Sequence, residues 1–64
     1  MIRIIALDIP GGVAREDIGT FGSVQVTGRD VRDDDDNVLL HFEDECWFSL
    51  ATGNGWYDFT IEAV

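Results

Sequence analysis

The residues able to do chemistry in this chain are mostly carboxylates, and they come in two runs. Asp33, Asp34, Asp35 and Asp36 form the first and Glu43, Asp44 and Glu45 the second, with Asp58 and Glu62 further on and His41 and Cys46 close by. A carboxylate pair suggests glycoside cleavage, but that reaction needs a cleft and one carboxyl with a raised pKa, and 64 residues offer little apolar depth for either. One His and one Cys make no zinc site, and His41 has no serine nucleophile with an acid partner around it. The spacing Asp33-x-Asp35-x-Asn37 matches the first three ligand positions of a calcium loop. The sixth position, which needs glycine, is Val38, and the twelfth is Asp44 where a bidentate Glu belongs. Gly11-Gly12 has no following Lys to make a phosphate cradle. No enzyme activity, metal or cofactor is expected. What remains to the acids is their charge.

That charge is unevenly placed. Residues 1–32 hold four acids (Asp8, Glu16, Asp17, Asp30) and four arginines (Arg3, Arg15, Arg29, Arg32), whereas residues 33–64 hold nine acids and no Lys or Arg. The second half thus carries the whole net charge of −9. Such a field opposes compaction and repels nucleic acid, so direct nucleic-acid binding is not expected and a basic protein partner is.

The rest of the composition is that of a small folded protein: 45% hydrophobic residues and seven aromatics along the chain, enough for one domain over residues 1–64. The lone Cys46 excludes an internal disulfide and points to a reducing cytoplasm. The apolar start is broken by Arg3, and nothing approaches the roughly 18 apolar residues of a membrane helix. A soluble protein without membrane contact is expected.

The elements that must position the acids follow from periodicity. Residues 2–9 are apolar on both faces, as in a strand covered on two sides, and Pro10-Gly11-Gly12 stops them. Val13, Ala14, Ile18 and Phe21 fall close to helical spacing and predict a short helix ending at Gly19 or Gly22. Residues 23–32 alternate, with Val31 on the wrong parity and a bulge expected near Gly28. Three more alternating strands then read Val38, Leu40, Phe42; Cys46, Phe48, Leu50; and Tyr57, Phe59, Ile61, Ala63. The expected fold is α+β: an antiparallel sheet of about five strands, a meander from the second to the fifth, with one short helix after the first.

Turn lengths predict a register. A four-residue loop at Thr52-Gly53-Asn54-Gly55 pairs Ala51 with Trp56 and Phe48 with Phe59; a three-residue Glu43-Asp44-Glu45 turn pairs His41 with Trp47; and the aspartate loop pairs Arg32 with Asn37. The outward face then has rows Leu39–Ser49–Asp58, His41–Trp47–Thr60 and Glu43–Glu45–Glu62, with Trp56 beside Ala51. Residues two apart on a strand lie about 6.6–6.8 Å apart, close to twice the axial phosphate step of about 3.4 Å per DNA strand. Carboxylates so spaced can stand where phosphates would. The expected partner-binding residues are Asp30, Asp33, Asp34, Asp35, Asp36, Glu43, Asp44, Glu45, Asp58 and Glu62, with Trp47 and Trp56 either as anchors for the partner or as cover for the sheet.

A lysine-free, acid-rich β domain of this size, with a DDDD turn and an EDE turn, resembles the small phage-encoded anti-CRISPR proteins that mimic DNA, in particular inhibitors of type I-C systems. The resemblance lies in overall character and transfers no residue by motif. It implies a monomer in the cytoplasm of an infected bacterium that occupies the basic DNA-entry or PAM-recognition surface of the effector complex and blocks target DNA. Two other classes fit the same composition: an antitoxin-like or regulatory module gripping one basic protein, and a phage structural or assembly protein that oligomerises through Leu39, Trp47 and Trp56.

Overall fold

A computed structural model describes residues 1–7 and 14–64, and over these the chain is all β. Eight strands form two antiparallel sheets: β1 (Ile2–Leu7), β2 (Arg15–Phe21) and β8 (Asp58–Ala63) in one, in the order β2-β1-β8; and β3 (Val24–Thr27), β4 (Asp30–Asp33), β5 (Val38–Glu43), β6 (Cys46–Ser49) and β7 (Gly55–Trp56) in the other, in sequence order. The chain passes between sheets at two corners, Gly22-Ser23 and Tyr57. Followed through those corners, it is an antiparallel meander whose last strand returns to pair with the first.

The expected helix is a strand. β2 pairs with β1 from Ile2↔Phe21 to Leu7↔Arg15, and the register shifts where Ile4 meets Gly19 and Ile5 meets Asp17, leaving Ile18 as the extra residue of a bulge. A bulge adds one residue to a period of two. It therefore places Ala14, Ile18 and Phe21 at the intervals of a helical face, although the backbone is extended. Gly19, at φ 139°, sits at this irregularity in a conformation that side chains disfavour. Val13, at the start of the expected helix, and residues 8–12, including the end of the expected first strand and its Pro-Gly-Gly stop, lie outside the described residues.

The expected bulge at Gly28 is instead a hairpin turn. Gly28, at φ 58°, and Arg29 connect Thr27 to its partner Asp30, so Val31 lies directly opposite Val26. The turn supplies the parity change that alternation alone left unexplained.

The core lies between the sheets. Ile4 from the first sheet and Val31 and Leu40 from the second are fully buried, and Ile18, Phe21, Val24, Leu39, Trp47 and Phe59 pack around them. Full burial of such side chains stabilises by about 1.5–3 kcal/mol each. Trp47 bridges the two layers: its ring centroid is 4.9 Å from that of Phe42 and 4.8 Å, edge to face, from that of Phe59.

The expected register also needs correction. The β5–β6 turn has two residues, Asp44 and Glu45 at φ 51° and 64°, so Glu43 pairs with Cys46, Phe42 with Trp47, and His41 with Phe48. That is the left-handed geometry of a type I′ hairpin without the Asn-Gly pair that usually announces it. Arg32 pairs with Val38 rather than Asn37, across a second irregularity. Trp56 pairs with Trp47 and Gly55 with Phe48, after which Tyr57 turns the chain into the other sheet, where Phe59 meets Ala6. The three expected outward rows are therefore not formed.

Candidate functional site

Two acidic turns stand at opposite ends of β5. The five residue steps from Val38 to Glu43 separate them by about 17 Å, on a molecule 29 Å in its longest dimension. Residues 33–37 form the first turn, and its organiser is Asp33. The Asp33 carboxylate accepts the backbone N–H groups of Asp35 and Asn37, each at 2.9 Å, and the Asn37 side-chain amide at 3.2 Å. These bonds, led by the one from the Asn37 backbone, hold its pKa below the ordinary aspartate value against some desolvation. Asp33, Asp34 and Asp35 bring carboxylate oxygens within 4.8 Å of one another. Asp34 and Asp35 point to solvent, and Asp34 lies against Gly22 at the corner, where an added Cβ would come within 2.9 Å of its oxygen.

Asp30 is not part of this exposed set. Its carboxylate accepts His41 Nδ1–H at 2.7 Å and the Arg32 guanidinium at 2.9 Å, and these two partners hold its pKa below the ordinary value, the His41 bond foremost. Arg32 also reaches the backbone oxygen of Asp36 at 3.2 Å and its carboxylate at 3.5 Å. His41, expected beside Trp47 on the outer surface, is thus the cross-strand partner of Asp30.

At the other end of β5, Glu43, Asp44 and Glu45 are exposed, with the Gly28-Arg29 turn alongside: Phe42 N–H donates to Arg29 C=O at 2.7 Å. Asp58 and Glu62 belong to the other sheet, opposite Leu7 and Arg3. Asp58 turns its carboxylate onto the backbone N–H of Phe59 at 2.7 Å. The tryptophans are half-buried, and neither projects as a free anchor. Trp47 is wedged between the sheets, and Trp56 Nε1–H donates to Glu16 at 3.0 Å.

Glu16 is the residue that sequence reasoning missed. On β2, facing the second sheet, its carboxylate accepts Ser49 Oγ–H and Thr52 Oγ1–H, both at 2.8 Å, the Trp56 indole, and the Asn54 amide at 3.5 Å. Desolvation opposes its ionisation, yet these four donors together hold its pKa below the ordinary value. No cation takes part, so a search for charge pairs passes over it. The cluster ties β2 to the 50–54 loop and is structural.

A pH dependence follows. Glu16, Asp30 and Asp33 all bind protons less readily folded than unfolded. The stability they contribute is complete above their unfolded values, about 4.3 for Glu and 3.9 for Asp, and is lost as pH falls through the lower folded values. Repulsion within the −9 charge acts the other way, because it weakens as exposed carboxylates titrate. The thermal midpoint should stay nearly level from pH 7 to about pH 5, where the carboxylates remain ionised, and fall below about pH 3.5. In melts followed by circular dichroism, roughly 0.5 M NaCl should raise the midpoint over the level part by screening the repulsion. A midpoint at pH 7 that salt leaves unchanged would show that repulsion is unimportant.

Among the described residues, Asp34, Asp35, Glu43, Asp44, Glu45, Asp58 and Glu62 make no ion pair; the pairs formed are Arg3–Asp17, Arg32–Asp30, Arg32–Asp36 and His41–Asp30. The structure thus brings the expected residues together as two turns and one strand of separate carboxylates, and it withdraws Asp30, Trp47 and Trp56 into internal contacts. No helix among the described residues is long and apolar enough to cross a membrane. The chain matches no protein-family model, no curated protein and no solved structure.

Proposed function

We propose that this chain is an acidic inhibitor that docks on the basic, DNA-binding surface of a partner protein and competes with DNA for it. The observation that supports this reading is where the strained backbone lies. Among the described residues, those with left-handed φ that are not glycine are Asp36, Asp44 and Glu45, all acids in the two exposed turns. Glycine or asparagine fits such positions at less cost, by roughly 1 kcal/mol or more for a residue like Glu45. Charge held where the backbone favours another residue is charge with a use.

The spacing is compatible with that use. The two turns stand about 17 Å apart, or five axial steps of about 3.4 Å along one DNA strand. Arginines and lysines that bind successive phosphates would meet carboxylates at both ends. The partner suggested by the resemblance is the DNA-entry or PAM-recognition surface of a type I CRISPR effector, where such side chains hold the duplex.

The β5–β6 turn offers a test with two opposed readouts. The double variant Asp44→Asn, Glu45→Gly replaces a costly type I′ turn by the favoured one and removes two charges. Its thermal stability should rise by about 1 kcal/mol, while its ability to displace duplex DNA from the effector, read by fluorescence anisotropy, should fall about tenfold. Unchanged displacement would remove this turn from the interface.

A further inference from the structure

β8 ends its sheet. It bonds to β1 on one side, and no described strand pairs with the other. One hydrogen bond shows which backbone groups face the open side: Val64 N–H donates to Met1 C=O, across to the β1 side, at 3.0 Å. Along an extended strand, the N–H and C=O of one residue point the same way and successive residues alternate. The β1–β8 register runs without a shift. Thr60 and Glu62 therefore direct their backbone groups to β1, and Phe59, Ile61 and Ala63 direct theirs outward.

The N–H of Phe59 is covered by the Asp58 carboxylate at 2.7 Å, which agrees with that assignment. Among the described residues no side chain covers Ile61 or Ala63 in this way, and both are exposed, Ile61 to 44%. Exposed edges are ordinarily shortened, bulged or covered, because they template pairing with another chain.

We propose that residues 60–63 of β8 accept an added antiparallel strand from the partner protein, an extended segment alternating apolar and basic side chains. This rests on the acidic-inhibitor reading and gives it a backbone component. The apolar half of the pattern follows from Ile61, which pairs with the buried Ile4 and is itself exposed to 44%, and from Ala63, exposed on the same face. The basic half follows from Glu62 on the opposite face, where its β1 neighbour Arg3 is shared with Asp17 at 3.9 Å. A second copy of this chain fits poorly: antiparallel pairing of β8 with itself brings Glu62 towards Glu62 and sets −9 against −9.

The probe is a fluorescent ten-residue peptide alternating valine and arginine. In antiparallel pairing its valine N–H and C=O groups face Ile61 and Ala63, so N-methylation of the valines should weaken binding at least tenfold. The Ala63→Pro variant loses one outward N–H and no bond to β1, which an edge strand tolerates. It too should bind the parent peptide at least tenfold more weakly, at an unchanged thermal midpoint. A peptide with its arginines in one block should bind as poorly as the N-methylated one. Equal binding of parent and N-methylated peptides would overturn the proposal, as would a dimer abolished by Ala63→Pro. The two readings separate cleanly. If the edge is idle, DNA-displaceable partner capture survives Ala63→Pro unchanged; if the acidic reading fails, capture is absent while the N-methyl effect on the peptide persists.

Discussion

Replacement of Trp47 by alanine is expected to leave the protein largely unfolded at 37 °C. Its ring contacts Phe42 within its own sheet and Phe59 in the other, and the Val31–Leu40–Ile4 cluster packs beside it. Truncation of a packed aromatic costs about 3–5 kcal/mol, and a chain of 64 residues has little more than that in total. The Trp47→Phe variant keeps an aromatic contact and should remain folded with a midpoint lowered by roughly 5–10 °C. Circular dichroism and the dispersion of amide signals would read both outcomes. A stable, folded Trp47→Ala protein with impaired partner binding would instead make Trp47 an exposed anchor.

The second large effect is expected at Glu16. Alanine there leaves the Ser49 hydroxyl, which is 1% exposed, and the Trp56 indole N–H without their acceptor. Each such group costs about 1–3 kcal/mol when left unsatisfied. Solvent can reach part of the cluster through the exposed Thr52 and Asn54, so a loss of about 2 kcal/mol overall is expected, or a midpoint lowered by roughly 8–16 °C. Glu16→Gln should lose about half as much, because its oxygen still accepts from Thr52 and Trp56 and its amide can donate to a rotated Ser49 hydroxyl. The glutamine should also remove part of the acid sensitivity below pH 4. Equal losses for Ala and Gln would assign the effect to charge rather than to hydrogen bonding.

Both residues show how far the sequence could be read. Alternation located β5, β6 and β8, because Leu40, Phe42, Phe48 and Phe59 recur at the period of a strand. It could not show that Tyr57 turns the chain into a second sheet, since a corner residue carries no periodic mark. The helix was misread because the extra residue Ile18 shifts the apolar pattern of β2 onto helical intervals. Turn length was misjudged at Asp44-Glu45, where left-handed backbone is adopted by residues that seldom signal it. That single residue of slip moved Trp47 from the expected surface to the core, as a change of one residue must in a strand.

The candidate site was legible as charge and illegible as pairing. Counting charge by chain halves assigned Arg32 to the first half, yet in the fold it partly neutralises Asp36 of the second. Asp30 and His41 lie 11 positions apart and Glu16 and Ser49 lie 33 apart, and only the strand register brings them together. What local sequence did carry is the exposed remainder. Asp34, Asp35, Asp44 and Glu45 sit in turns, Glu43 at the strand end beside the second, and no Lys or Arg follows them.

Competition with DNA tests the central claim most directly. The tagged protein would be incubated with bacterial lysate supplemented with a type I-C CRISPR effector, and the captured proteins challenged with duplex DNA and with salt. Mimicry predicts capture of a DNA-binding protein, the effector first among them, that both duplex DNA and about 0.5 M NaCl release. It also predicts markedly weaker capture by the Asp34→Asn, Asp35→Asn variant, in which Asp33 still holds the loop. Capture of no protein that DNA displaces, or equal capture by that variant, would contradict it.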